Sequence, residues 1–137
     1  MGLDAERPQV PRHAAQVILL DTNALIWITT GHARARPLAK QRARLYVSPA
    51  SLLEVQIALE SGRLSLPQPM DAALHDDRWV VDQPPSVEWF LAAGEVGWTR
   101  DPFDRLLVAH ALLRRWKLAT ADTLILAQLG PSRTLEL

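Results

Sequence analysis

The chain has 137 residues, of which 48% are hydrophobic and 22% charged, a balance that is typical of a single folded domain. Because it contains no cysteine, disulfides and thiolate metal sites are excluded, and a metal ion would be bound by oxygen or imidazole ligands. Fifteen basic residues match fifteen acidic ones, so the net charge does not by itself favour a nucleic-acid partner.

The first sixteen residues differ in character from the rest of the chain. They are polar, carry two prolines and lack the apolar stretch of a signal peptide. No apolar run approaches the roughly 20 residues that cross a bilayer. We therefore expect residues 1–16 to form a flexible N-terminal extension, residues 17–137 to form one domain, and the protein to be cytoplasmic.

The domain is predicted to begin with a buried strand that ends in a carboxylate. Val17 to Leu20 are apolar, and Asp21, Thr22 and Asn23 follow directly. In an open α/β sheet, ligands bind in the crevice beyond the carboxyl ends of the strands, where Asp21 would lie. A buried carboxylate needs a cation or several hydrogen-bond donors. Capping of the next helix could supply such donors, so both readings of Asp21 remain open.

The later elements are predicted from hydrophobic periodicity, helix caps and prolines. Two helices begin with an N-cap followed by proline at the first helical position, Ser48-Pro49 and Asp101-Pro102. A third helix is predicted to be capped by Ser86. The predicted helices span residues 24–30, 35–45, 49–61, 71–77, 87–96, 102–116 and 123–129, and the predicted strands span residues 17–20, 46–47, 79–81, 117–120 and 134–137. This alternation predicts a three-layer α/β domain with a central, mostly parallel sheet flanked by helices.

A basic segment lies between the first two predicted strands. His32 to Arg44 contains five basic residues and no acid, whereas residues 71–95 are mostly acidic. A surface for phosphates and an ordinary solvated helix face are both compatible with this pattern.

Four acidic residues lie where predicted strands end or predicted helices begin: Asp21, Glu54, Asp104 and Asp122. Taken singly, each has a structural explanation. Asp122 can cap a helix, Asp104 can complement a helix dipole, and Glu54 has the capping-box spacing from Ser51. Taken together, they are expected to meet at one edge of a parallel sheet, where their repulsion would require a cation.

The ligand chemistry of this acidic group predicts a reaction class. Carboxylate oxygens suit Mg²⁺ or Mn²⁺, and such ions can activate water and stabilise the charge that develops on a phosphoryl group. Metal-assisted phosphodiester hydrolysis is therefore the predicted chemistry.

The order of these motifs resembles that of PIN-domain ribonucleases, and more narrowly of VapC toxins from toxin–antitoxin pairs. The matching segments are Leu20 to Asn23, Ser48 to Glu54 with Gly62-Arg63-Leu64, Arg100 to Ala109, and Ala119 to Asp122. The resemblance covers the chain from Val17 onwards. It implies a PIN fold, Mg²⁺- or Mn²⁺-dependent endonuclease action on RNA, a homodimer, and inhibition by a cognate antitoxin protein.

The resemblance also implies roles for individual residues. By position, the catalytic and metal-binding acids of the family match Asp21, Glu54, Asp104 and Asp122. The supporting positions match Thr22, Asn23, Ser51, Asp101 and Thr120. The basic residues that we expect to contact RNA phosphates are Arg63, Arg105, Arg34 and Arg36.

Some residues of this chain differ from those common in the family, and others have no role assigned by the resemblance. Ala58 stands where relatives often carry lysine, and His110 stands where glutamine is common, so we expect His110 to be a packing residue. The tryptophans are expected mainly in packing, with Trp27 a candidate for a dimer or antitoxin surface.

Two other function classes are compatible with parts of the sequence. One is a catalytically weak protein-binding module with the same fold that acts mainly through its partner, which the missing lysine and the neutral charge favour. The other is an aspartate-nucleophile phosphotransferase of the haloacid-dehalogenase kind. That class carries a second aspartate two residues after the first, where Asn23 stands here, so it ranks last.

Overall fold

The strands of the domain form one central parallel sheet, shown by a computed structural model that describes residues 16–137. The five strands lie in the order β3-β2-β1-β4-β5, and every neighbouring pair runs parallel. The strands are β1 (Gln16–Leu20), β2 (Ala43–Val47), β3 (Val80–Val81), β4 (Lys117–Thr120) and β5 (Thr134–Glu136). The predicted extension over residues 1–16 lies outside the described residues except for Gln16, which begins β1.

Helices connect the strands and cover both faces of the sheet. They are α1 (Thr22–Thr30), α2 (Arg36–Ala39), α3 (Pro49–Glu60), α4 (Ser86–Gly94), α5 (Pro102–Arg114) and α6 (Thr123–Leu129), with 3-10 helices at Ala33–Ala35 and Met70–His75. Within residues 16–137, no helix has the length and apolar character needed to span a membrane. The prediction of a mostly parallel sheet flanked by helices is confirmed.

The alternation of side chains along β1 divides the core into two layers. Ile18 and Leu20 pack on one face of the sheet, against Leu25 of α1 and Val55 of α3. Leu19 packs on the other face, in the cluster that holds Trp89 and Val108 of helices α4 and α5. Because helices cover both faces, β1 is apolar at consecutive positions rather than at alternate ones. This burial fixes the strand whose carboxyl end carries Asp21.

The helix predicted over residues 35–45 is wrong in its second half. The helical part ends at Ala39, and Ala43–Val47 form β2, which pairs with β1 on one side and with β3 on the other. Two partner strands supply backbone hydrogen bonds and buried surface for β2. These long-range contacts outweigh the local helical tendency of a short polar segment.

Two helix starts also differ from the prediction. Helix α1 begins at Thr22, so Asp21 is its N-cap residue. Helix α4 begins at Ser86, after Pro85, and no side chain caps it. Ser86 is therefore the first helical residue and not the predicted N-cap. By contrast, the predicted caps are observed at Ser48, Asp101 and Asp122, whose side chains accept hydrogen bonds from backbone N–H groups of the following helix.

Candidate active site

The parallel register brings the four predicted acids to one edge of the sheet. Strands β1 and β4 are neighbours, and Asp21 and Asp122 follow their carboxyl ends. Helices α3 and α5 carry Glu54 and Asp104 in their first two turns. All four line one cleft of about 60 Å³, together with Thr22, Asn23 and Leu107. We refer to these seven residues as the carboxylate cleft; Leu107 is the one that the sequence did not suggest.

Asp21 is a buried helix cap. Its side chain is 7% exposed, and its Oδ1 accepts a hydrogen bond of 2.7 Å from the backbone N–H of Ala24. Burial raises the pKa of Asp21 from 3.8 to about 6, against the lowering effect of the Ala24 N–H and the Thr120 hydroxyl, with a further upward effect from the charges of Glu54 and Asp122. The cap therefore orients this carboxylate but does not compensate fully for its burial.

Glu54 is held by a chain of hydroxyl groups. Thr22 Oγ1 donates a short hydrogen bond to Glu54 Oε1 and lies 3.0 Å from Ser51 Oγ. Since the single hydroxyl proton of Thr22 is used towards Glu54, Ser51 donates to Thr22. Burial raises the pKa of Glu54, which the Thr22 hydrogen bond opposes and the charge of Asp101 reinforces. Glu54 therefore faces α1, and the capping-box reading of its spacing from Ser51 is not what the structure shows.

Asp104 experiences the charge of the other acids most strongly. Burial raises its pKa from 3.8 to about 7, and the charges of Asp101, Asp122, Glu54 and Asp21 add to the effect. Asp101 itself caps α5, because its Oδ1 accepts hydrogen bonds of 2.8 Å from the N–H of Phe103 and 3.2 Å from that of Asp104. Asp101 is thus a helix cap that also contributes negative charge to the carboxylate cleft.

Asp122 combines a capping role with a place in the cleft. Its Oδ1 accepts a hydrogen bond of 2.9 Å from Ile125 N–H, and its own N–H donates to Thr120 Oγ1 at 3.0 Å. The hydroxyl of Thr120 is fully buried. Thr120 therefore fixes the turn that leads from β4 to Asp122.

The predicted basic residues lie outside the lining of the carboxylate cleft. Arg63 nevertheless acts on one acid of the cleft, since its charge lowers the pKa of Glu54. The Nε of Arg105 donates to the carbonyl oxygen of Thr99 at 2.7 Å. Arg34 lies 4.8 Å from the ring centre of Trp27, and Arg36 is exposed. Arg34 and Arg36 therefore lie near Trp27, whereas Arg63 and Arg105 lie in other surroundings.

Trp27 belongs to an apolar groove. The groove measures about 450 Å³ and is lined by Trp27, Ile28, Leu38 and Leu45 together with Arg36 and Arg78. We call it the Trp27 groove. Two other tryptophans are buried and donate their indole N–H to backbone carbonyls, Trp79 to Ala73 and Trp89 to Leu106.

His110 is a packing residue with one charged partner. It is fully buried against Trp89, and its Nε2 lies 2.8 Å from Asp82 Oδ2, which also accepts from Arg114 Nε. Burial lowers the pKa of His110, so the neutral ring donates through Nε2. Burial acts to raise the pKa of Asp82, but the hydrogen bonds from Arg114 and His110 outweigh it and the pKa is lowered. This cluster joins the end of β3 to α5, and His110 is not among the residues that line the carboxylate cleft.

The donor atoms of the cleft fit a hard divalent cation in type. Asp21 and Asp122 each use Oδ1 to cap a helix, which fixes the position of each carboxylate in the cleft. Within residues 16–137, the side chains as they lie in this structure form no group of three or more Asp, Glu or His residues that could hold a metal ion. Burial raises the pKa of Asp21 and Asp104, and the charges of the neighbouring acids raise both pKa values further, so the acids also disfavour one another's charge. A cation would relieve this repulsion.

Solved structures with the same fold include complexes of toxins with antitoxins. The chain is 19% identical to a chain of a toxin–antitoxin complex from Klebsiella pneumoniae, with a TM-score of 0.66 and coverage of 88% of this chain and 99% of that one. It is 20% identical to a chain of VapBC2 from Rickettsia felis bound to a promoter DNA fragment, with a TM-score of 0.61 and coverage of 88% and 98%. For VapBC-1 from nontypeable Haemophilus influenzae, the identity is 18%, the TM-score 0.62 and the coverage 88% and 98%. At this identity the likeness concerns the fold.

The sequence itself carries a family signature over most of its length. No curated protein matches the chain significantly. Residues 18–128 match the family model of the PIN domain, a span that contains all four acids of the carboxylate cleft. The chain therefore belongs to the PIN domain family.

Proposed function

We propose that this protein is a metal-dependent endoribonuclease that acts as the toxin of a toxin–antitoxin pair. The observation that carries the proposal is the convergence of Asp21, Glu54, Asp104 and Asp122, from four separate segments, on one cleft in which the charged form of the acids is disfavoured. Membership of the PIN family supports nuclease chemistry at this place.

The four acids would hold Mg²⁺ or Mn²⁺. Carboxylate oxygens are the ligands that these ions prefer, and the described cleft offers neither thiolate nor imidazole. A bound divalent ion supplies Lewis-acid stabilisation of a phosphoryl group and lowers the pKa of a water molecule. Such an ion would also favour the charged form of Asp21 and Asp104, whose pKa values are raised mainly by burial and further by the charges of the neighbouring acids.

The supporting residues set the directions of the acids. The caps made by Asp21 and Asp122 fix each side chain through its Oδ1. Ser51 and Thr22 align Glu54, and Thr120 fixes the turn before Asp122. Asn23 is exposed at the mouth of the cleft and is the supporting residue that can contact substrate directly.

RNA is proposed as the substrate. Arg63 lies near Glu54 and is our first candidate for a contact with the phosphate that is cleaved. Arg105, Arg34 and Arg36 are proposed as further phosphate contacts on the basis of their charge. The Arg105 side chain is held by the hydrogen bond from its Nε to the carbonyl oxygen of Thr99.

A cognate antitoxin and a second copy of the chain are the proposed protein partners. The Trp27 groove offers apolar surface with Arg36 and Arg78 at its sides, which suits an amphipathic acidic segment of an antitoxin. Helix α4 exposes Val87, Phe90 and Leu91 by 66%, 59% and 68%, and this apolar face suits a homodimer. The toxin–antitoxin complexes of similar fold support a partner of this kind.

Cleavage of RNA with and without metal tests the proposed reaction. The purified protein should cut RNA with Mg²⁺ or Mn²⁺ and lose this activity with EDTA. Asp21→Asn should abolish it, whereas Asp77→Asn, which changes an exposed aspartate by the same chemistry, should not. Cleavage that persists in EDTA, or that Asp21→Asn leaves undiminished, would show the mechanism to be wrong.

The second candidate function is a PIN-fold module that acts mainly by binding a protein partner. The Trp27 groove favours it, because an apolar groove of this size serves binding whether or not the cleft is catalytic. This function predicts no heat of Mg²⁺ or Mn²⁺ binding in calorimetry and no growth arrest on expression. Growth arrest that Asp104→Asn abolishes would exclude it.

A further inference from the structure

A second cleft lies at the edge of the sheet opposite the carboxylate cleft. It measures about 370 Å³ and is formed by the end of α5, the start of β4 and the turn before β5. Arg115, Lys117 and Arg133 line it, and none of its lining residues is acidic. Arg115 and Lys117 lie where α5 leads into β4, and Arg133 comes from the turn before β5. We call this feature the basic cleft.

The three cations are not used in the local structure. Within residues 16–137, Arg115, Lys117 and Arg133 form no ion pair. In the last turn of α5, the carbonyl groups of Ala111 and Leu112 accept backbone hydrogen bonds from Arg115 and Trp116, so the chain itself caps the helix there. Dipole complementation would also explain only a cation at the helix end, and not those on β4 and before β5. The positive charge is therefore available to an anion.

The aromatic residue of the basic cleft is already packed by other side chains. Trp116 stacks on Tyr46 with 4.4 Å between the ring centres, and the guanidinium of Arg114 lies 5.8 Å from the centre of the indole. The ring is thus engaged within the protein, and the cleft offers charge rather than a platform for a base. Such a site would contact phosphates without regard to sequence.

We propose that the basic cleft binds the phosphodiester backbone of the RNA at a distance from the bond that is cleaved. This inference rests on the proposed function, since it assumes that RNA is the substrate. The carboxylate cleft gathers four acids and repels a polyanion, so binding energy for RNA must come from cations elsewhere. A strand of RNA carries several phosphates and can contact all three cations, whereas a single carboxylate cannot.

The distance between the two clefts predicts a dependence on substrate length. Lys117 and Thr120 are the two ends of β4, which at ~3.3 Å per residue lie about 10 Å apart. The basic cleft and the carboxylate cleft lie beyond these two ends, so a dinucleotide cannot occupy both. A long RNA can.

Binding of RNA to a cleavage-deficient background tests the proposal directly. The protein with Asp21→Asn is titrated with a labelled long single-stranded RNA at several salt concentrations, with anisotropy as the readout. Arg115→Gly, Lys117→Gln and Arg133→Gln are then combined. The slope of log K against log[salt] should fall in magnitude by about 2, at roughly 0.7 for each lost phosphate contact. Binding of a dinucleotide should not change.

Two controls separate this result from loss of folding and from net charge. Arg115 has a φ of 60°, a conformation that favours glycine, so Arg115→Gly alone removes a cation without straining the backbone. It should lower the slope by about 0.7. The combination of Ser65→Asp, Gln68→Glu and Gln83→Glu makes the same change in net charge on exposed positions that line neither cleft, and should retain the slope.

The salt titration also has outcomes that would contradict the proposal. An unchanged slope for the triple variant of the basic cleft, or an equal fall for both triple variants, would overturn the proposal. Unchanged RNA binding together with lost binding of a polyglutamate peptide would assign the cleft to an acidic polypeptide instead. Cleavage of a dinucleotide tests the carboxylate cleft alone. If the protein cuts neither substrate, the proposed function fails, while the binding titration still decides the role of the basic cleft.

Discussion

Replacing Asp21 by asparagine is expected to stabilise the metal-free protein near neutral pH, although it removes an acid of the carboxylate cleft. The Asp21 carboxyl is 7% exposed, and burial raises its pKa from 3.8 to about 6. An acid with a raised pKa in the folded state binds protons more tightly there than in the unfolded state. The free energy of unfolding therefore falls as the pH rises from about 4 to about 6, and stays low above that range.

The size of the effect follows from the shift. A difference of about two pKa units corresponds to about 3 kcal/mol, a large part of the 5–15 kcal/mol that stabilises a typical domain. Asparagine has no charge to bury, and its Oδ1 can accept the hydrogen bond from Ala24 N–H that caps α1. The free energy of unfolding of Asp21→Asn should therefore exceed that of the wild type by up to about 3 kcal/mol at pH 8. The difference should become small towards pH 4.

Urea unfolding followed by tryptophan fluorescence, in EDTA and across this pH range, measures the difference. Asp77→Asn is the matched control, since it changes an exposed aspartate by the same chemistry. A residual pH dependence in Asp21→Asn is expected, because Asp104 keeps a raised pKa. If Asp21→Asn is less stable than the wild type at pH 8 without metal, burial of the Asp21 charge does not destabilise the folded protein as we infer.

Three further predictions concern the metal and the polar contacts around the site. Mg²⁺ at one hundred times its dissociation constant should stabilise the wild type by about 2.7 kcal/mol and Asp21→Asn much less. Equal shifts in the urea midpoint of the two proteins would show that the ion binds elsewhere. Thr22→Val removes the hydroxyl that aligns Glu54 and should lower kcat more than it raises KM, whereas Thr22→Ser should retain most activity. Asp82→Ala leaves buried His110 without its hydrogen-bond partner and should lower the free energy of unfolding by about 1–3 kcal/mol in urea, and an unchanged value would show that the contact contributes little.

Local sequence signals account for the features that the sequence predicted well. Ser48-Pro49 and Asp101-Pro102 mark helix starts because a side-chain acceptor precedes a residue that needs no N–H partner. The apolar run of β1 predicts a strand buried on both faces. These signals lie within a few residues of the structure that they determine. The acids could be grouped in advance because parallel strands end at one common edge.

Long-range contacts account for the features that the sequence did not disclose. The assignment of residues 43–45 to β2 depends on pairing with β1. The hydrogen bonds of Thr22 with Ser51 and Glu54 join residues that lie 29 and 32 positions apart. The basic cleft depends likewise on Arg133, which lies far along the chain from Arg115. No periodicity or cap marks these partners, so they become visible only when the fold is known.

The caps and the proposed metal site are two uses of the same carboxylates. Capping of α1 by Asp21 and of α6 by Asp122 occupies one oxygen of each side chain and fixes its orientation. Because each cap fixes its carboxylate at a helix start, it contributes the preorganisation that an ion site requires. A cap satisfies a helix N–H but leaves most of the negative charge uncompensated, as the raised pKa of Asp21 shows. The capping role is therefore compatible with the proposed metal site, because the cap holds in place a charge that a bound cation would neutralise.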